Sequence, residues 1–224
     1  MIPSISVENM RVSDAYTIDN LLPSLTLMHR AAMGVFRSVS WLGPVAIVVG
    51  SGNNGGDGFA LACILREHHY ICTVFTVSDK ASPDSAFYMQ KAISAGIPVL
   101  PYSAGCLEGF AMVVDCLLGT GFQGIVRGNC RDAIEQINHS GAYVISVDIN
   151  SGMNGDTGDA ELAVRSDLTV TIGYVKQGLV TANAGKHMKK LVCADIGIHL
   201  LREEGWITAE TCPPWLDMTI LRVY

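Results

Sequence analysis

Short apolar runs rich in β-branched residues recur along the chain, and they constrain its fold more than any other feature. They are "VAIVVG" (45–50), "ICTVFTV" (71–77), "IPVL" (97–100), "AMVVDCLLG" (111–119), "AYVISVDI" (142–149), "DLTVTIG" (167–173) and "LVCADIG" (191–197). Runs of this length and continuity fit strands buried on both faces. Helical spacing fills the intervals. In 6–41, Met28, Ala31, Ala32, Val35, Phe36 and Val39 recur at helical steps, with Pro23 and Ser24 where a helix begins. Segment 57–69 can turn Phe59, Ala60, Cys63 and Ile64 to a sheet; 82–95 has Pro83 near its first turn; 131–138 joins two runs. Strands alternating with helices predict an α/β fold with a mostly parallel central sheet covered on both faces. No repeat, low-complexity tract or linker divides 1–224, which reads as a single domain. The tail, 202–224, fits no strand–helix unit and is left unassigned.

Composition narrows the classes. The formal net charge is -6, whereas a nucleic-acid surface needs a basic face. A nucleotide ligand stays open, because backbone N–H groups at a helix start bind phosphate without lysines. The 7 cysteines stand singly, several inside apolar runs, with no C-x-x-C pair; they read as free thiols of a reducing compartment. The opening "MIPSISVENMRVSD" lacks a basic segment followed by an apolar one, and no apolar run nears the ~18 residues of a membrane helix. The expectation is a cytoplasmic protein with no membrane partner.

In open parallel sheets ligands bind beyond the carboxyl ends of the strands. Four of these exits combine glycine with a polar or acidic residue: "SGNNGGDG" after the first run, Asp115 with "GTGFQG" after the fourth, Asp148 with "INSGMNGDTG" after the fifth, and "GYVKQG" after the sixth. Gly50, Gly52 and Gly55 match a dinucleotide-binding spacing, a weak signal that tight turns alone also produce. Asp57 could be no more than a helix N-cap, and Asp115 and Asp148 no more than hydrogen-bonded loop anchors. Lys176 could approach the ligand from the exit it follows, or be no more than a solvated loop lysine, and it is not counted among the site residues. Together the acids say more. Carboxylates crowded beside a phosphate-cradling turn repel one another unless a cation is bound. Asn54, Asp115 and Ser151 offer oxygen ligands, which point to a hard cation rather than zinc or iron. The histidines show no metal-ligand spacing.

These stretches, with "LMHRAA" (27–32), "VDINSGMNGDTG" (147–158), "KQGL" (176–179) and "ADIGI" (194–198), resemble the NAD(P)H-hydrate epimerase family, the YjeF N-terminal-domain proteins, in order and over about residues 7–198. The resemblance implies a Rossmann-like three-layer αβα fold, a homodimer, and interconversion of the R and S epimers of hydrated NADH and NADPH, a cofactor-repair reaction. It implies that Asn53, Asn54, Gly55, Gly56 and Asp57 contact the hydrated dinucleotide, as do Gly119, Thr120, Gly121, Phe122, Gln123, Gly124, Ile125 and Asp148. It implies one potassium ion per subunit on Asn54, Asp115 and Ser151. In many relatives the domain is fused to an ADP- or ATP-dependent dehydratase that consumes one epimer, so functional coupling to such an enzyme is expected. The chain departs from the family pattern at Asn150, where proline is usual, at Gln123, often lysine, at Gln177 of "KQG", usually proline, at His29, usually acidic, and at Ala32, usually glycine.

Epimerisation inverts C6 of the hydrated ring, which carries a hydroxyl next to the ring nitrogen. The nitrogen can expel the hydroxyl and water re-attack the iminium, or the N1–C6 bond can open and reclose. Both routes need a group that gives and takes a proton. Asp148 is the expected one, its pKa raised by burial or by Asp115 and lowered by a cation. Two other readings compete: a non-catalytic nucleotide- or protein-binding scaffold of the same fold, which has no need of these polar residues, and an ordinary NAD-dependent oxidoreductase, which needs a ribose-binding acid and a catalytic Tyr–Lys or His group.

Overall fold

The computed structural model describes residues 1–224. In chain order the strands and helices are β1 (Ile2–Ile5), α1 (Val7–Asn20), α2 (Ser24–Ser38), β2 (Val45–Val49), α3 (Asn53–Glu67), β3 (Cys72–Thr76), α4 (Pro83–Ser94), β4 (Val99–Pro101), β5 (Met112–Cys116), α5 (Gly128–His139), β6 (Tyr143–Val147), β7 (Leu168–Ile172), β8 (Val175–Lys176), β9 (Leu191–Asp195), β10 (Gly205–Ile207) and β11 (Leu216–Arg222).

Eight strands form one parallel sheet in the order β11-β9-β7-β6-β5-β2-β3-β4, the expected Rossmann-like α/β arrangement. Side chains alternate across it as the period of two requires. Val45, Ile47 and Val49 pack into one core with Ala31 and Val35 of α2 and Phe59 and Cys63 of α3. Ala46 and Val48 enter the opposite core with Ala133, Ile134 and Ile137 of α5. The sheet is therefore buried on both faces, which is why its strands read as unbroken apolar runs. The order reverses between β2 and β5: the chain runs from β2 out to β4, then returns to β5 on the other side. Loops leaving such a reversal diverge and open a crevice.

Sequence and structure differ at several places. The helical region 6–41 is two helices, broken before Pro23, whose missing N–H and fixed φ favour a boundary there. Trp41 lies beyond α2, buried, its Nε1 donating to Phe36 O at 2.9 Å. Helix α3 begins at Asn53 and not at 57, so the polar residues expected in a turn form its first turns. The unassigned tail 202–224 carries two strands: β11 extends the main sheet beside β9, and β10 pairs antiparallel with β1. β11 is half-exposed, so it lacks a continuous apolar run. β1 also pairs parallel with β8, making a three-stranded sheet, β10-β1-β8, beside the exits of the main sheet.

Candidate functional site

The strand exits converge because two of them touch. A Cβ on Gly50 would stand 1.9 Å from Leu117 O, and a Cβ on Gly55 would stand 2.2 Å from Gly50 O. Only glycine lets the β2 exit lie against the β5 exit and α3 start immediately above it. Gly56 faces the side chain of Met28 in α2, again a close packing position.

Beyond these exits lies a cleft of about 640 Å³. Asn53, Asn54 and Asp57 of α3 line it, with Gly119, Thr120, Gly121, Phe122 and Gln123 after β5, Asp148 after β6 and Lys176 of β8. α1 adds Arg11 and Asp14, α2 adds Leu27 and Met28, and α4 adds Asp84. Gly124 instead lines an adjoining polar cavity of about 570 Å³ that shares Phe122 and Gln123 with the cleft. Gly55 and Gly56 are buried behind the wall, and Ile125, 56% exposed, faces away from both hollows. Asn53 is held from α4's cap: Ser82 Oγ donates to its Oδ1 at 2.7 Å. Asp57 is not an N-cap; that position belongs to Gly52.

The acids separate into two groups. Asp115 is fully buried under the floor of the cleft and does not line it. It stands in register with Ser146 on the neighbouring strand. It accepts from Ser146 Oγ at 2.8 Å, Ser151 N at 3.0 Å, Ser151 Oγ at 2.5 Å and Leu117 N at 3.2 Å. Burial raises its pKa; the bonds from Ser151, Ser146 and Leu117 oppose that and hold part of it back. Leu118 completes the knot: its N–H donates to Ser151 Oγ at 2.8 Å, and its carbonyl accepts from Ser151 Oγ and from Asn54 Nδ2, each at 3.1 Å. Asn54 thereby turns its Oδ1 inward, buried and without a hydrogen-bond donor. An orphaned buried carbonyl beside a carboxylate, a hydroxyl and a main-chain carbonyl is the donor set of a hard, weakly hydrated cation. The residues fit the group.

Asp148 belongs to the second group, on the cleft side. Its backbone is left-handed, φ 69°, a conformation aspartate tolerates better than most residues and one that marks strained sites. Its N–H is anchored on Val170 O at 2.8 Å, and its Oδ1 accepts from Ile172 N at 3.3 Å and from Lys176 Nζ. Lys176 is not a solvated loop lysine. It is 1% exposed, and its ammonium donates to Asp148 Oδ1, Ile172 O at 2.6 Å and Thr171 Oγ1 at 3.1 Å. Three donors meet three acceptors, which makes an ammonium bearable there. The sequence leaves its role open because "KQG" at the end of an apolar run does not say which way the lysine points.

Asp57 and Asp14 complete this group. Burial, then the charge of Asp148, then that of Asp14 push Asp57 well above the usual carboxylate range, and Lys176 opposes them. Burial and then Asp148 also raise Asp14. The like charges beside Asp148 are therefore these two, not Asp115. Nothing in the sequence around Asp14 singles it out; only the packing of α1 over the exits brings it in. Asn150, at the family's proline position, is buried and bonded on both ends: Nδ2 to Val164 O, Ser166 Oγ and His187 O, Oδ1 from Thr169 Oγ1.

The chain is similar to known proteins over most of its length. Residues 24–178 match the family described as YjeF-related protein N-terminus. The NAD(P)H-hydrate epimerase of Limosilactobacillus reuteri is 37% identical over 190 residues, 81% of this chain and 89% of that protein. That of Limosilactobacillus fermentum is 36% identical over 200 residues, 86% of this chain and 96% of that protein. Among solved structures, the yeast protein ynu0 (YNL200c) superposes with a TM-score of 0.73 at 17% identity, covering 93% of this chain and 98% of its own; it shares the fold.

Proposed function

Because the chain belongs to the YjeF-related N-terminal family, we propose that it is an isomerase that interconverts the R and S epimers of hydrated NADH and NADPH. The observation that carries this reading is the carboxyl of Asp148, at the carboxyl end of β6, held by buried Lys176 on the wall of a dinucleotide-sized cleft. A proton donor and acceptor fixed at that point can serve C6 of a nicotinamide ring whose phosphates lie against the start of α3 and the 119–123 loop.

Asn54, Asp115 and Ser151, with Leu118 O, would hold potassium. Bound there, the cation supplies positive charge beneath the phosphate-binding turn and fixes the β5 exit. Asn53 and Asn54 orient donors along the ligand, Gly119 to Gly121 admit its backbone closely, and Asp148 moves the proton. The same reading assigns a homodimer, a cytoplasmic location and functional coupling to an ADP- or ATP-dependent dehydratase that consumes one epimer. The test is direct. Protein mixed with hydrated NADH enriched in one epimer should carry the mixture to the equilibrium ratio, followed by chromatography. Binding without interconversion would identify a scaffold; hydride exchange would identify an oxidoreductase.

A further inference from the structure

Two carboxyls face the cleft from different elements, and their surroundings are opposite. Asp148 is locked by an ammonium and a main-chain N–H. Asp57, four residues into α3, has no hydrogen bond from any group of the chain. The charged groups around Asp57 come from every wall: Asp14 and Arg11 on α1, Asp84 on α4, Asp148 after β6 and Lys176 on β8. One carboxyl fixed on a cation beside another left without a donor is the arrangement of a divided acid and base.

We propose that Asp57 is a second catalytic carboxyl, the one that protonates the leaving hydroxyl, and that Lys176 is the positioning residue that reserves Asp148 for the attacking water. This rests on the epimerase reading. The step balances without an oxidant. The Asp57 proton passes to the C6 hydroxyl oxygen; the C6–O bond breaks and its electron pair leaves with water; the N1 lone pair forms the C6=N1 iminium. Water then attacks C6 from the other face, its electron pair forming the new C–O bond while the C=N pair returns to N1, and its proton passes to Asp148. Solvent in the open cleft returns the proton from Asp148 to Asp57. The opposite epimer runs the same sequence backwards. As Asp57 loses its proton it becomes an anion just as the ring becomes a cation, so the acid also stabilises the intermediate. Burial and the neighbouring acids, which raise Asp57, favour its protonated form.

The experiment is the pH profile of kcat for wild type, Asp57→Asn and Lys176→Met, assayed with hydrated NADPH from each epimer in turn. Wild type should give a bell whose alkaline limb reports the acid and whose acidic limb reports the base, as macroscopic values of the pair. Asp57→Asn should lower kcat roughly 100-fold or more from both epimers, with KM changed less than about threefold; it should abolish the alkaline limb for the epimer whose hydroxyl Asp57 protonates and the acidic limb for the other, for which the two carboxyls exchange roles. Lys176→Met should move the acidic limb to higher pH, a displacement that simple loosening of the fold would not produce. A cooperative melting transition well above the assay temperature would show that the variants are folded. An Asp57→Asn enzyme within about threefold of wild type, or one keeping both limbs from either epimer, overturns the proposal. An inactive wild type overturns the epimerase reading instead, so the two failures are distinct.

Discussion

Lys176 and Asp148 form an ion pair across the end of the sheet, one buried completely and the other 14% exposed. They sit 28 positions apart in sequence and meet because β8 follows two residues after β7, which lies beside β6 in the main sheet, and is held there by pairing with β1. The pair joins the fold's stability to its chemistry.

Breaking it from the lysine side should therefore cost more than a surface pair would. Lys176→Met leaves Asp148 without its cation in a largely dry site, and a loss of about 2–4 kcal/mol is expected, below the upper range for fully buried pairs because Asp148 keeps some solvent. Urea denaturation of wild type and variant measures it.

Asp57 should show the reverse sign. Its pKa is raised in the folded state, so folding favours its protonated form. That contribution is fully present below the unfolded carboxylate value and is lost as pH rises through the folded one. Asp57→Asn, which cannot ionise, should thus be more stable than wild type at neutral pH, with the difference vanishing at about pH 4. Denaturation at the two pH values checks this; a variant less stable than wild type at neutral pH would contradict it.

The orphaned Oδ1 of Asn54 predicts selective cation binding. Melting should rise when KCl replaces tetramethylammonium chloride at equal ionic strength, by roughly RT ln(1 + [K+]/Kd) in free energy. Asn54→Ala should remove most of that rise while leaving the melting point in the organic salt within a few degrees.

Restoring the family's usual proline at position 150 should harm this chain. Asn150→Pro removes the amide that bonds Val164 O, Ser166 Oγ, Thr169 Oγ1 and His187 O; the two hydroxyls keep only their bond to each other, and His187 O keeps only the one from Ser166 N. A loss of about 2–4 kcal/mol is expected from unsatisfied buried groups. Thermal or chemical denaturation would reveal it.

Legibility followed burial. Strands β2, β5, β6 and β7 are buried almost throughout, so their runs are unambiguous in sequence. β1, with a proline and only 4 residues, and β11, half in water, carry no such signal. In the site, Asn53, Asn54, Asp57 and the 119–123 loop are readable because glycine crowds polar residues at two strand exits. Asp14 and Lys176 are not. An acid on an amphipathic helix and a lysine after a strand are ordinary in sequence, and only the packing of α1 and β8 over the cleft turns them toward Asp148.

The small sheet has a task that its distance from the crevice conceals. Ile5 on β1 is the register partner of Lys176 on β8, and β10 clasps β1 from its far edge. The first few residues never touch the crevice, yet they brace the short ribbon that carries the ammonium. Clip that strut, and the lysine would lose its seat before any wall of the crevice itself was disturbed.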